Sequence, residues 1–405
     1  MREGIVEVLD RRLDRASTAP LAVGFSGGGD SLFLLKAVLN WAQGRPVLAL
    51  VVDHQLHPDS ARWTAEAVAK AEALGARAKA LAWTGAKPTT GLPAAARRAR
   101  HALLATAARE AGARVLLLGH TASDLAEGVA MRAEGSSVSN PREWAPSPVW
   151  PEGRGVMVLR PLLSLTRTDI RERLAAEGDT WLDDPANLDP RYARARARAR
   201  GTGAPSPVDS EPVPPPRVTV DAAGAIRLTR EAAPIHLAAA LLCAGGTERP
   251  PRGERLTRLV ERLRSGERFT ATLAGARIEA TAELLICRDA GEIARGGLAR
   301  LDLAPRETGV WDGRWEITAG DVPVTVAPLK GRASTLTAGQ RARLSEIPAA
   351  ARPSLPLLLE RDGADTGSLA LDVPERAVEG GAGARALVLD RFKAAIGLFD
   401  QESVT

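Results

Sequence analysis

Residues 26–31 read Ser26-Gly27-Gly28-Gly29-Asp30-Ser31, a run whose residue types suit the binding of phosphate. Glycines accept positive φ and let backbone N–H groups face one point, and a helix beginning just after them adds the positive end of its dipole. Ser26 and Ser31 contribute hydroxyl donors. Asp30 repels a phosphate on its own, so its place in the run implies a bridging cation, most simply Mg²⁺ with its oxygen ligands. The expected ligand is a magnesium nucleotide. A second candidate group is Gly119-His120 followed by Asp124 and Glu127. On a helix the two acids share a face, where they can bind a cation or an ammonium group, or move a proton; acids favoured by the dipole of a helix N-terminus are the plainer account. A third is the pair Asp53-His54, which either flanks the nucleotide or sits in a solvated loop.

The elements that must position these residues follow from the apolar pattern. An apolar run at 21–25 precedes the glycines and a helical stretch at 32–41 follows, which is strand, tight loop, helix. Residues 46–54 are a continuous run of β-formers ending in Asp53-His54, as expected of a buried parallel strand. Residues 60–74 predict a helix with Ser60 as N-cap and Gly75 as its end; 78–83 a strand; 92–111 a helix; 114–119 another buried strand. Residues 1–15 form an amphipathic helix ahead of them. This alternation predicts an α/β fold with a doubly wound parallel sheet, and ligands of such sheets bind at the carboxyl ends of the strands.

SGGGDS lacks the GK[ST] of a Walker loop and the setting of a dinucleotide fingerprint. It resembles the PP-loop, SGGxDS, of enzymes that use ATP to pass AMP to an oxygen of a second substrate. Further segments, in order and spacing, resemble the tRNA(Ile)-lysidine synthase family: Val52-Asp53-His54, Lys87-Pro88, Arg97-Arg98, Gly119-His120 with Asp124 and Glu127, Arg160-Pro161-Leu162-Leu163, and Trp181 through Tyr192. The resemblance is specific across 20–200 and looser beyond. It implies activation of the C2 oxygen of the wobble cytidine in tRNA(Ile) with a CAU anticodon by ATP, then displacement of AMP by free lysine. Carried onto this chain, it implies that Ser26, Gly27, Gly28, Gly29, Asp30 and Ser31 hold the pyrophosphate end, with Asp53, His54, Gly119 and His120 around the nucleotide. Asp30 and Asp124 would hold Mg²⁺. The implied catalytic residues are Asp30, Arg97 at the α-phosphate, Asp124 and Glu127. A basic stretch, Arg191, Tyr192, Arg194, Arg196 and Arg198, would contact RNA through phosphates and a stacked base. The alternative for that stretch is a charged solvated helix.

The chain also departs from the family pattern GHHxDDQAET. Ser123 stands for the first aspartate, Leu125 for the glutamine and Gly128 for the threonine, while Gln55 and His57 replace a glycine and an arginine. A non-catalytic tRNA- or nucleotide-binding relative is therefore the second hypothesis, from a different class. A thiolating PP-loop enzyme is disfavoured, since Cys243 and Cys287 are the two cysteines and lie far apart. That spacing also argues against a disulfide framework, a zinc site or an iron–sulfur cluster.

Composition sets the remaining bounds. The 405 residues, 45% hydrophobic and 25% charged, suit a soluble chain of two to four domains in a reducing cytoplasm, without a membrane span. Residues 1–200 hold 28 Lys+Arg against 22 Asp+Glu, and the remainder 26 against 27, so the basic excess lies beside the nucleotide loop. That excess suits a polyanionic substrate. The expected division is 1–200 for the ATP-binding catalytic domain with a basic extension, 201–217 for a proline-rich linker, 218–300 for an accessory α/β domain and 301–405 for a C-terminal accessory domain. Residues 136–158, with four prolines, are expected to form a loop over the sheet edge. Single strands are expected at 269–278 and 311–317, and a second acidic cluster at Asp183-Asp184.

Overall fold

The computed structural model describes residues 2–135, 140–182, 213–360, 367–378 and 380–402. The chain divides into two compact units, Met1–Glu211 with Phe399–Thr405, and Pro212–Leu398.

The first unit is built on six strands: β1 (Leu21–Gly24), β2 (Val47–Asp53), β3 (Arg77–Ala82), β4 (Val115–Leu118), β5 (Trp144–Pro146) and β6 (Met157–Leu159). Their order is β3-β2-β1-β4-β6-β5, all parallel except β5. Leu21 pairs with Val47 on one side and Val115 on the other. Side chains alternate between the faces of a strand, so Leu21, Val23, Ala49, Val51 and Leu117 enter one core with α1 (Arg2–Arg12), α2 (Gly29–Ala42) and the later helix Arg167–Ala176. Ala22, Leu48, Leu50, Leu116 and Leu118 enter the opposite core, against the helix Leu92–Glu110. Both faces are covered, which is why the strands read as unbroken apolar runs. Each fully buried leucine contributes about 1.5–3 kcal/mol, so the middle of the sheet is a stiff frame. The chain leaves β1 toward β2 on one side, while β4 lies on the other. This is the topological switch point where open α/β sheets bind ligands.

The remaining helices of this unit are α3 (Ser60–Ala73), α4 (Leu92–Glu110), α5 (Ala122–Ala133) and α6 (Arg167–Ala176). Several expectations need correction. Helix α2 starts at Gly29, not near 32, because Gly28 takes the N-cap position and Gly29, Asp30 and Ser31 form the first turn. Asp59, not Ser60, precedes α3 as its N-cap. Residues 136–158 are not all loop: Trp144–Pro146 is a strand, and Pro146 is accommodated because β5 is an edge.

The residues Phe399–Glu402 also belong to this unit. Arg45 donates to both carboxylate oxygens of Glu402 at 2.8 and 2.6 Å, with the side chains 0% and 2% exposed. The Glu402 N–H bonds to the Arg12 carbonyl at 2.8 Å, and Trp144 Nε1 donates to the Phe399 carbonyl at 2.6 Å.

In the second unit β7 (Val218–Val220), β8 (Ile226–Leu228), β9 (Phe269–Leu273), β10 (Ala276–Ala280) and β11 (Leu284–Arg288) form an antiparallel sheet ordered β7-β8-β11-β10-β9. It packs on helices Pro234–Ala244 and Glu254–Arg264. Residues 301–386 supply a four-stranded and a three-stranded sheet around a separate core, and Val388 and Phe392 return to the core of the five-stranded sheet. The single strands expected at 269–278 and 311–317 are each a hairpin. Their turns pass through Ala274-Gly275 (φ 51° and 75°) and Asp312-Gly313 (φ 52° and 66°), the primed-turn geometry that matches strand twist. Among the described residues, no helix is long and apolar enough to cross a membrane.

Candidate active site

The glycine loop is braced by its own serines. Ser31 Oγ donates to the Gly28 carbonyl at 2.9 Å and accepts from the Ser26 N–H at 3.2 Å, and the two hydroxyls lie 3.2 Å apart. The first N–H groups of α2 have no partner within the helix, so they are available to an anion at the loop. Gly27 has φ 77°, and a Cβ there would stand 2.6 Å from Leu182 Cδ1. At the end of β4, a Cβ on Gly119 would stand 3.0 Å from the Asp30 carbonyl oxygen. A side chain there would press on the loop backbone, so glycine suits this close approach. Leu182 closes over the loop from the other side, its N–H bonded to the Gly27 carbonyl at 3.0 Å.

Three of the expected carboxylates meet, and they meet on a residue that the sequence did not single out. Arg167, the first residue of α6, places Nε 3.1 Å from Asp30 Oδ2 and Nη1 2.9 Å from Glu127 Oε1. Its Nη2 is 3.7 Å from Asp124 Oδ1. Asp124 also shapes the backbone, because its Oδ2 accepts from the Thr121 N–H at 2.9 Å and the Thr121 hydroxyl at 3.1 Å, closing a capping box at the start of α5. The helix-terminal account thus describes Oδ2, while Oδ1 faces the Arg167 guanidinium. Ser123, where the family pattern has aspartate, accepts the backbone N–H of Arg167 at 3.1 Å and so fixes the start of α6. Burial raises the pKa of Asp30, while the charge and hydrogen bond of Arg167 pull it down.

A basic group stands apart from these acids. Arg160, buried, donates from Nε to His120 Nδ1 at 3.2 Å and from Nη1 to the Arg142 carbonyl at 2.8 Å. Burial and then the charges of Arg97, Arg142 and Arg100 push the Arg160 pKa down to about 10. His101, one turn along α4 from Arg97, is pushed down to about 2 by burial, then by Arg100, Arg97 and Arg160. Arg97 therefore joins a concentration of positive charge next to His120, while Asp30, Asp124 and Glu127 form the acidic group.

Asp53 ends β2 and accepts the Gln55 N–H at 2.8 Å, an Asx turn that holds Gln55 at φ 54°. That left-handed conformation explains a glycine in the family pattern. His54 meets Trp83 edge-on at 6.2 Å, and His57 stacks on Trp63 at 4.6 Å. An open cavity of about 380 Å³, lined mainly by apolar residues of α3 and β3 including Val68 and Leu81, adjoins Asp53.

The PP-loop domain family matches residues 2–201. A tRNA(Ile)-lysidine synthase of Caulobacter vibrioides is 73% identical over 399 residues, 98% of this chain and 98% of that protein. The chain belongs to the tRNA(Ile)-lysidine synthase family. The tRNA(Ile)-lysidine synthases of Hyphomonas neptunium and Rhizobium meliloti are 37% and 33% identical, covering 71% and 76% of this chain and 86% and 75% of their own lengths.

Within this tRNA(Ile)-lysidine synthase family member, the matched PP-loop domain contains both charged groups and the glycine loop. Arg191, Tyr192, Arg194, Arg196 and Arg198, together with Asp183-Asp184, lie outside the described residues. Sequence reading missed Arg167, marked Ser123 only as a departure without foreseeing its bond to the Arg167 N–H, and quoted Arg160 without giving it a role. Arg167 had a usable signal: Thr166 and Asp169 spell a capping box, and in the structure Asp169 N–H donates to Thr166 Oγ1 at 3.2 Å.

A bound cation is testable on the residues themselves. Among the described residues, no three or more His, Cys, Asp or Glu side chains gather as a metal cluster, because the acids converge on Arg167 instead. Asp30 Oδ1 nevertheless is buried with no hydrogen-bond partner among the described residues. A lone buried carboxylate oxygen of this kind fits a hard cation such as Mg²⁺.

Proposed function

We propose that this chain makes lysidine at the wobble cytidine of tRNA(Ile) carrying a CAU anticodon, using ATP and free lysine. The observation that carries the reading is the assembly of Asp30, Asp124 and Glu127 beside a braced PP-loop at the switch point of the sheet. In the first step the cytidine C2 oxygen attacks the α-phosphorus of ATP and pyrophosphate leaves. The α2 N-terminus and residues 26–31 receive the pyrophosphate, and Arg97, within the basic group, meets the charge that builds on the α-phosphate. Asp30 and Asp124 would hold Mg²⁺, which when bound offsets the charge of the phosphates. In the second step the lysine amine forms a bond to C2 as the C2–O bond to AMP breaks, and the amine gives up a proton. Glu127 and Asp124 hold the ammonium group and stand ready to take that proton.

The basic stretch Arg191 to Arg198 is proposed to track tRNA phosphates. Residues 218–300 and 301–398, reached through the linker 201–217, are proposed as accessory regions for the tRNA body, the expected domain 301–405 being shortened because Phe399–Thr405 belong to the first unit. The reaction belongs in the cytoplasm, where its substrates are found. Incubation with labelled lysine, ATP and tRNA(Ile) tests the reading: label should enter tRNA with release of AMP and pyrophosphate. No incorporation under conditions where ATP and tRNA both bind would replace it with the non-catalytic relative.

A further inference from the structure

Three carboxylates in one partly buried place repel each other, and the repulsion grows as water is excluded. Glu127 is 2% exposed and Asp124 7%, so neither can turn out to solvent. Arg167 answers this with a planar fork: separate nitrogens reach Asp30, Glu127 and Asp124 at 3.1, 2.9 and 3.7 Å. Those carboxylates come from two elements, α2 and α5, and the arginine from a third, α6. The guanidinium stands where the proposed function puts the positive charges of Mg²⁺ and the lysine ammonium. Its backbone is anchored independently, through the Ser123 hydroxyl and the capping box of Thr166 and Asp169. The side chain can therefore shift without unseating the helix.

We propose that Arg167 is a built-in counter-cation, a positioning residue that holds Asp30, Asp124 and Glu127 together before the cationic ligands enter and releases Asp30 when Mg²⁺ arrives. The inference rests on the reading of Asp30 as the magnesium carboxylate of the loop. It assigns Ser123 a matching role: with one acid fewer than the family pattern, a single arginine suffices, and the serine holds that arginine in place. Arg171, one turn along α6, adds a weaker positive influence on Asp30.

Thermal unfolding of the full chain, without ATP or tRNA, tests this in a way that needs no turnover. In metal-free buffer Arg167→Gln should melt at least about 4 °C below wild type, a shift expected for loss of one charged contact in a domain of this size. Millimolar MgCl₂ should restore at least half of that loss, while moving wild type by less than about 1 °C. Arg167→Lys should keep most of the metal-free stability, because it retains the charge, but should show a weaker Mg²⁺ response than Arg167→Gln. If Arg167→Gln fails to fold, the double variant Arg167→Gln with Glu127→Gln supplies the test, since removing one acid should return the metal-free melting temperature. An unchanged melting temperature in Arg167→Gln, a loss that MgCl₂ leaves in place, or no recovery in the double variant overturns the proposal. Lysine incorporation by wild type examines the functional reading separately, so either can fail alone.

Discussion

Two charged groups occupy one PP-loop domain, and they are built on opposite principles. The acidic group of Asp30, Asp124 and Glu127 carries a positive charge of its own in Arg167. In the basic group, Arg97, Arg100, Arg142 and Arg160 lower the pKa of their neighbours instead, and His101 is held neutral among them. On the proposed reading the first would exchange one cation for another, and the second would receive an anion. A reaction that brings a lysine ammonium to a phosphorylated RNA base needs both, side by side and kept from neutralising one another.

Breaking the acidic side at the loop should have the largest effect. Asp30→Ala is expected to lower ATP-dependent lysine transfer by about 10³-fold or more while leaving the melting temperature unchanged or slightly higher, since a half-buried carboxylate with a raised pKa gives little to stability. Steady-state turnover and a thermal melt on the same sample check both halves. On the basic side, Arg97→Ala should cost about 10² in kcat, the usual loss when a donor to developing phosphate charge is removed. Were ATP binding lost and kcat kept, Arg97 would serve affinity only. Asp124→Asn should lower lysine transfer about tenfold, about 1.4 kcal/mol, and Ser123→Asp should preserve or raise it because aspartate can also accept the Arg167 N–H.

The smallest effect concerns stability. The folded-state pKa of His101 is depressed to about 2, so the unfolded chain takes up a proton that the folded chain refuses. Its contribution is present above the ordinary histidine pKa of about 6.5 and declines as pH falls below it, at up to about 1.4 kcal/mol per pH unit. Urea unfolding at about pH 7 and pH 5 should show a steeper loss in wild type than in His101→Gln. Equal slopes would mean that the imidazole is reached by water and protonates in place.

Much of this arrangement was legible from residue order alone. Strands β1, β2 and β4 are continuous apolar runs because both faces are covered, and the loop declares itself through glycines that pack against Leu182 and β4. What escaped reading was long-range or masked by composition. Arg167 meets Asp30 across 137 residues, and the capping box of Thr166 and Asp169 beside it marks a helix start without marking that distant partner. Trp144–Pro146 was hidden by Pro146 and the prolines around it; an edge strand tolerates such a residue. The hairpin at Asp312-Gly313 was missed although Asp-Gly is a strong turn signal, because the β-forming residues Trp311, Trp315 and Ile317 were read as one short strand across it.

The pairing of Arg45 with Glu402 has a consequence for synthesis. A ribosome finishes the strands and helices of the first unit by Glu211, then makes about 190 more residues before the carboxylate that Arg45 needs emerges. At the usual ~5–20 residues per second, the interval is about ten to forty seconds. Throughout it the nascent first unit holds a guanidinium whose carboxylate partner does not yet exist, so this buried pair forms only after residues 212–398 have been made.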